Sequence, residues 1–194
     1  MQALLANGAP PDEPGDLDVM NADGAIVTVT GVTPLMRALA EGHLEAATVL
    51  LSANASPSAR SSDRWTPLMM AVIGEDVACV TLIADAEVDL EDRNDRGETA
   101  LWLALEGEDL PVANALARRG ADVNATDQDG ATPLMVVVDQ PVSATRDDAP
   151  IAAVRWILAN GGDTSLRDQS GRTALDRALH AGQDEVVRLL LGLA

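Results

Sequence analysis

Asp127-Gln128-Asp129-Gly130-Ala131-Thr132-Pro133-Leu134-Met135-Val136-Val137 is the stretch whose reading decides the fold. Asp and Gly ahead of the threonine make a turn: Gly accepts backbone angles closed to other residues, and an aspartate side chain caps free amides. Thr132 is placed to cap a helix, and Pro133 opens it at the first position, where its missing N–H costs nothing. The apolar residues that follow fall at helical spacing. The phrase also recurs. Thr33-Pro34-Leu35, Thr66-Pro67-Leu68, Thr99-Ala100-Leu101 and Thr132-Pro133-Leu134 begin 33 residues apart, and Thr173-Ala174-Leu175 follows after 41. A fixed period in this range marks a solenoid, in which each unit buries its apolar face only by stacking on its neighbours.

Within one period a second apolar helix is expected over residues 112–119, with Gly120 as a left-handed stop. Ala121-Asp122-Val123-Asn124-Ala125 then runs extended into the next turn. Each unit is therefore a turn followed by two antiparallel helices. With Gly42-His43 ending a first helix and Gly120-Ala121-Asp122-Val123-Asn124 following a second, the pattern resembles the ankyrin repeat over roughly residues 21–194. The resemblance implies an all-α repeat solenoid: a curved stack of about five helix-turn-helix units, including an N-terminal half-unit, with β-hairpin fingers beside a concave face of first helices. It also implies that these surfaces bind other proteins. The expected division is one domain, 1–194. Residues 1–23 form a half-unit cap and inserted loop, followed by units at 24–56, 57–89, 90–122, 123–163 and 164–194.

The chain departs from the pattern at defined places. Where the family usually has His three positions after the Thr, this sequence has Met36, Met69, Trp102, Met135 and Asp176. Hydrogen bonding around the turns is expected to change while the fold stays intact. The helix-ending Gly is Asn54 in one unit and Glu87 in another; Asn tolerates the left-handed conformation better than Glu. The helix before Glu87 is therefore expected to end irregularly. Extra residues precede Thr33, including Pro10-Pro11-Asp12-Glu13-Pro14-Gly15-Asp16, and the β-branched alternation over 26–30 is expected to lengthen that hairpin. A second insertion, about 140–149, falls between the two helices of the fourth full unit. Met1-Gln2-Ala3-Leu4-Leu5-Ala6-Asn7-Gly8-Ala9 reads as the second helix of a unit lacking its first, either a half-unit cap or a trimmed end. At the other end, Asp184, Glu185 and Arg188 offer the last unit only a modest polar outer face, which a terminal repeat needs for solubility.

Composition narrows the function. The 194 residues are 47% hydrophobic, without Phe or Tyr and with three Trp, so the core is built from Leu, Val, Ile, Ala and Met. The net charge is −18, from 31 acidic residues against 13 basic ones, all arginine. Such a field repels nucleic acid and anionic membrane, which bind through clustered cations. Without Lys there is no P-loop lysine and no Schiff-base chemistry. No apolar stretch approaches the roughly 18 residues of a membrane span, and the N-terminus lacks the basic and apolar regions of a signal peptide. A cytoplasmic location is expected.

Catalytic chemistry finds little support. His43 sits at a helix junction, and His180 has no Cys or Ser motif beside it. Cys79 lies in an apolar helix and reads as core. Two histidines and one cysteine argue against zinc. Asp127-Gln128-Asp129-Gly130 lacks the third ligand and closing Glu of a calcium loop, and the hairpin accounts for the same residues. No catalytic residue, metal or cofactor is expected.

The recognition surface is more specific. The residue just before each Thr is expected to project from its hairpin: Val32, Trp65, Glu98, Ala131 and Arg172. Trp is enriched among binding hot spots, although Trp65 could equally lie flat on its neighbouring hairpin. Beside these stand Asp63 and Arg64, Asp95 and Arg96, Gln128 and Asp129, then Gln169 and Ser170. Seven residues after each Thr, Ala40, Ile73, Glu106, Asp139 and His180 are expected to face the concavity. The partner-binding set is therefore Asp63, Arg64, Trp65, Ile73, Asp95, Arg96, Glu98, Glu106, Gln128, Asp129, Asp139, Arg172 and His180. The expected function is a non-catalytic scaffold that binds a protein partner. Its sharper form is an acidic inhibitor or immunity-type protein covering a basic site on an enzyme; another reading is an interaction fragment of a larger chain.

Overall fold

The computed structural model describes residues 11–20, 26–140 and 149–193. The proposed half-unit at 1–9, the hairpin tip at 21–25 and nearly all of the second insertion lie outside them. The chain opens with an antiparallel pair, β1 (Gly15–Met20) and β2 (Ile26–Val32), in which Leu17 faces Val29 and Asp18 faces Thr28. The alternation over 26–30 thus forms the lengthened hairpin expected of it. Helices follow in pairs: α1 (Pro34–Ala40) with α2 (Leu44–Ser52), α3 (Pro67–Ile73) with α4 (Val77–Ala84), α5 (Ala100–Glu106) with α6 (Leu110–Ala117). Then come α7 (Pro133–Asp139) with α8 (Ala149–Ala159), and α9 (Ala174–Ala181) with α10 (Asp184–Leu190).

The helices form two layers. First helices pack in the order α1, α3, α5, α7, α9. Among second helices α2 packs on α4, α4 on α6 and α8 on α10, while the Trp156 indole N–H donates to Asn114 Oδ1 at 2.8 Å between α8 and α6. The core lies between them, in one continuous cluster from Val29 to Val186. Leu35, Leu101, Leu116 and Val154 are 0% exposed within it, as is Cys79. Among the described residues the main helix contacts run to the partner helix and the adjacent units, as in a solenoid.

The repeated threonine does what its spacing predicts. Thr33, Thr66, Thr99, Thr132 and Thr173 each take an extended conformation, and each hydroxyl accepts from the backbone N–H three residues on. In three of the five units the unusual residue at that third position makes a hydrogen bond of its own. The Thr33 N–H donates to the Met36 sulfur at 3.5 Å, and the Trp102 indole N–H reaches the Ala131 carbonyl at 3.4 Å. Asp176 closes the last cap by accepting from both the N–H and the hydroxyl of Thr173, each at 2.9 Å.

The 33-residue period is also written in the backbone. Gly31, Arg64, Gly97, Gly130 and Gly171 take positive φ in the turns; Gly42, Glu75, Glu108 and Gly182 do so between helices; Asn54, Glu87, Gly120 and Gly161 do so after second helices. Positive φ is where Gly has no steric penalty and other residues do. Glu87 was expected to make its helix end irregularly. Instead it adopts φ 56°, in register with Asn54 at 62° and Gly120 at 93°. Packing of the stack imposes the left-handed turn, and Glu accepts the strain.

Candidate protein-binding surface

The hairpins after the first are single turns rather than strands, and one residue builds each. Asp127 Oδ1 accepts from the N–H groups of Asp129 (2.9 Å) and Ala131 (2.8 Å). Asn94 Oδ1 does the same for Arg96 (2.9 Å) and Glu98 (3.1 Å). Ser61 Oγ accepts from Trp65 N–H at 2.9 Å, and Asp168 Oδ1 from Arg172 N–H at 2.9 Å. The turn's own N–H donors therefore find a partner on a short side chain. Ser61, Asn94 and Asp168 are only 4–6% exposed. The Asp127 carboxylate is thereby engaged in the hairpin, while the Asp129 side chain stands exposed.

Neighbouring turns are then stitched together. Ser62 N–H donates to Thr30 O (3.0 Å), Asp95 N–H to Asp63 O (3.1 Å), Gln128 N–H to Arg96 O (2.9 Å), and Gln169 N–H to Asp129 O (2.9 Å). One bond per unit makes a backbone ladder along the fingers. Ser62, Arg64, Asp95, Arg96, Gln128, Asp129, Gln169 and Arg172 all stand exposed along it.

The position just before each Thr corrects the sequence reading. Val32, Glu98 and Ala131 are 2–4% exposed and do not project. Trp65 is half-buried and packs against the core. Only Arg172 is exposed. The reason is geometric: the residue before the N-cap is the foot of the finger, and its side chain turns in toward the stack. The exposed tip lies one to three residues earlier. Ser62 and Gln169, missed in the partner-binding set, are at the tip. The register of the threonines would have found them: Ser62 lies 33 residues before Asp95, and Gln169 lies 41 after Gln128, the same step as from Thr132 to Thr173.

Glu98 is the clearest case. Its carboxylate accepts from Asn94 Nδ2 at 2.6 Å and pairs with the exposed Arg96 guanidinium at 3.1 Å. Burial pushes its pKa up, against the Asn94 hydrogen bond and the Arg96 charge, because the charged form loses hydration there. Asp168 is the opposite. The Arg172 N–H and the Arg177 guanidinium (2.6 Å) hold its carboxyl down to about 2. Arg177 also pairs with Asp139, so the Asp139 carboxylate at the end of α7 is engaged within the molecule.

The concave candidates form a second row. Ile73, Glu106, Asp139 and His180 lie at or near the C-terminal ends of α3, α5, α7 and α9. A seven-residue helix is about 10 Å long, so this row runs parallel to the finger ladder at roughly that distance. Ile73 and Glu106 are half-buried, whereas Asp139 and His180 are exposed. Among the described residues, no group of three or more His, Cys, Asp and Glu side chains is placed to hold a metal, and no helix is long and apolar enough to cross a membrane.

A comparison with curated proteins finds no match for this chain. A family model for ankyrin repeats in three copies matches residues 54–127 and 109–194, and a model of the single ankyrin repeat matches residues 30–62. Period, caps, two-layered stack and these matches agree: the chain belongs to the ankyrin repeat family, whose repeats generally mediate protein–protein interactions.

Proposed function

We propose that this protein is a non-catalytic, cytoplasmic scaffold that binds a protein partner along the finger ladder and the neighbouring concave row. The observation that carries the reading is the ladder itself. It aligns the backbone of the polar tips, from Ser62 to Gln169, along the stack. A pre-ordered backbone loses little entropy on binding, which favours such a line over a mobile loop. The binding set becomes Asp63, Arg64, Asp95, Arg96, Gln128, Asp129 and Arg172, with Ser62 and Gln169 added. Trp65 contributes its exposed edge, and Ile73, Glu106, Asp139 and His180 form the second row. Glu98 leaves the contact set and supports its finger from within.

The net charge of −18 favours a basic surface on the partner, because opposite fields accelerate encounter and suppress wrong partners. An inhibitor that covers a basic site on an enzyme is one form this takes. Nucleic acid and anionic membrane are disfavoured by the same charge. The test is site-specific photo-crosslinking in the native cell. A crosslinker at Gln128 or Asp95 is expected to capture a protein that one at Glu45, on the outer helix α2, does not. Equal capture from both sites would refute the placement of the surface.

A further inference from the structure

We propose that Arg64 is the specificity-determining cation of the finger ladder, and that it takes a carboxylate of the protein partner. The proposal rests on the ladder being the binding surface. Register singles this residue out. Two residues before each threonine the chain takes positive φ: 73° at Gly31, 63° at Arg64, 80° at Gly97, 75° at Gly130 and 77° at Gly171. Four of these five are glycine, the residue for which that region carries no steric penalty. The position is also crowded. A Cβ at Gly31 would lie 3.1 Å from the Ser62 hydroxyl, and one at Gly97 would lie 2.5 Å from the Gln128 backbone nitrogen of the next finger. The second finger therefore carries a long side chain where backbone and neighbours both favour none. Strain of this kind, kept at an exposed turn, points to function.

Charge says what this side chain meets. The other two arginines along the ladder are answered within their own fingers, Arg96 by Glu98 at 3.1 Å and Arg172 by Asp168 at 3.3 Å. Among the described residues Arg64 enters no ion pair, and it stands exposed. A net charge of −18 draws a basic partner. A basic surface laid over Arg64 is repelled there unless it presents an acidic group. Trp65, next in the chain, is half-buried, and Arg and Trp are the residues most enriched at binding hot spots. Arg64 thus selects among basic partners: one without a carboxylate at this finger leaves like charges face to face.

The probe is the protein captured through the Gln128 crosslinker, identified, purified and titrated against variants of the full chain. Arg64→Gln keeps the strained backbone and removes the charge. It should weaken binding at least ~10-fold with an unchanged urea midpoint. Arg64→Gly should weaken binding alike and raise the midpoint, because it releases the strain. Arg118→Gln removes the same charge at the exposed C-terminal cap of α6, and should leave affinity within about twofold. Arg64→Glu should be rescued by changing one Asp or Glu of the partner to Lys. Unchanged affinity for Arg64→Gln, while Asp95→Arg with Asp129→Arg weakens binding, would overturn the inference and leave the ladder standing. Indifference to both, or no capture at Gln128, would overturn the ladder and the inference with it. A lowered midpoint for Arg64→Gly would make the residue a support of the fold and overturn the inference. An equal loss from Arg118→Gln, or the absence of any rescuing change on the partner, would do the same.

Discussion

Two buried carboxylates in the fingers, Glu98 at a foot and Asp168 in a turn, respond to pH with opposite signs. Asp168 has its folded pKa lowered from 3.8 to about 2, so the stability it contributes is present above pH 3.8 and lost as the pH falls through about 2. Asp168→Asn should therefore lower the melting temperature at pH 7 and narrow its difference from the parent by pH 2. Glu98 has its pKa raised from 4.5, so the folded state favours the protonated form. Its effect on stability is most favourable below 4.5 and declines as the pH rises through the raised value. Glu98→Gln keeps an acceptor for Asn94 and removes the buried charge. It is expected to raise the melting temperature at pH 7, with the gain gone at pH 4; a loss at pH 7 would mean that the Arg96 pair outweighs burial. From the sequence, Glu98 looks like one more surface acid among many. Its burial follows from the turn that Asn94 builds, and Asn94 drew no notice because Ser, Asn and Asp share its position.

At the scale of elements, left-handed positions are where this chain departs most from its own repeat. Glu87 and Gly120 are equivalent, 33 residues apart, with φ 56° and 93°. A side chain at Gly120 would meet nothing within 4 Å, so a substitution there reports backbone strain alone. Glu87→Gly should gain about 0.5–1 kcal/mol and Gly120→Ala lose about 1 kcal/mol, read as shifts of the urea midpoint at constant slope. Gly97→Ala should cost more than Gly120→Ala, because its Cβ would lie 2.5 Å from the Gln128 backbone nitrogen of the next finger. The helices, their caps and their order were legible from Thr-Pro-Leu and the period. The first hairpin was legible from β-branched alternation over 26–30. The residue just before each Thr was misplaced at Val32, Glu98 and Ala131, because a period tells which residues are equivalent and does not tell which way they point. That direction is set by the N-cap threonine, which turns the preceding side chain toward the core.

Across the whole molecule, charge is separated along the stack: acidic units precede a last unit, 164–194, whose four arginines balance its four carboxylates. Self-repulsion among the acidic units weakens the folded state, so raising the salt from about 50 to 500 mM should lift the melting temperature by a few degrees. The same change should weaken binding of a basic partner, since salt screens attraction between molecules as well as repulsion within one. The account's central claim, that the finger ladder is the binding surface, is tested most directly by titrating the captured partner against paired charge-reversal variants. Asp95→Arg combined with Asp129→Arg should weaken binding by at least ~10-fold, mostly through slower association at low salt, while Glu45→Arg on the opposite face leaves it within about twofold. Equal affinity for the two variants, both folded, would contradict the account.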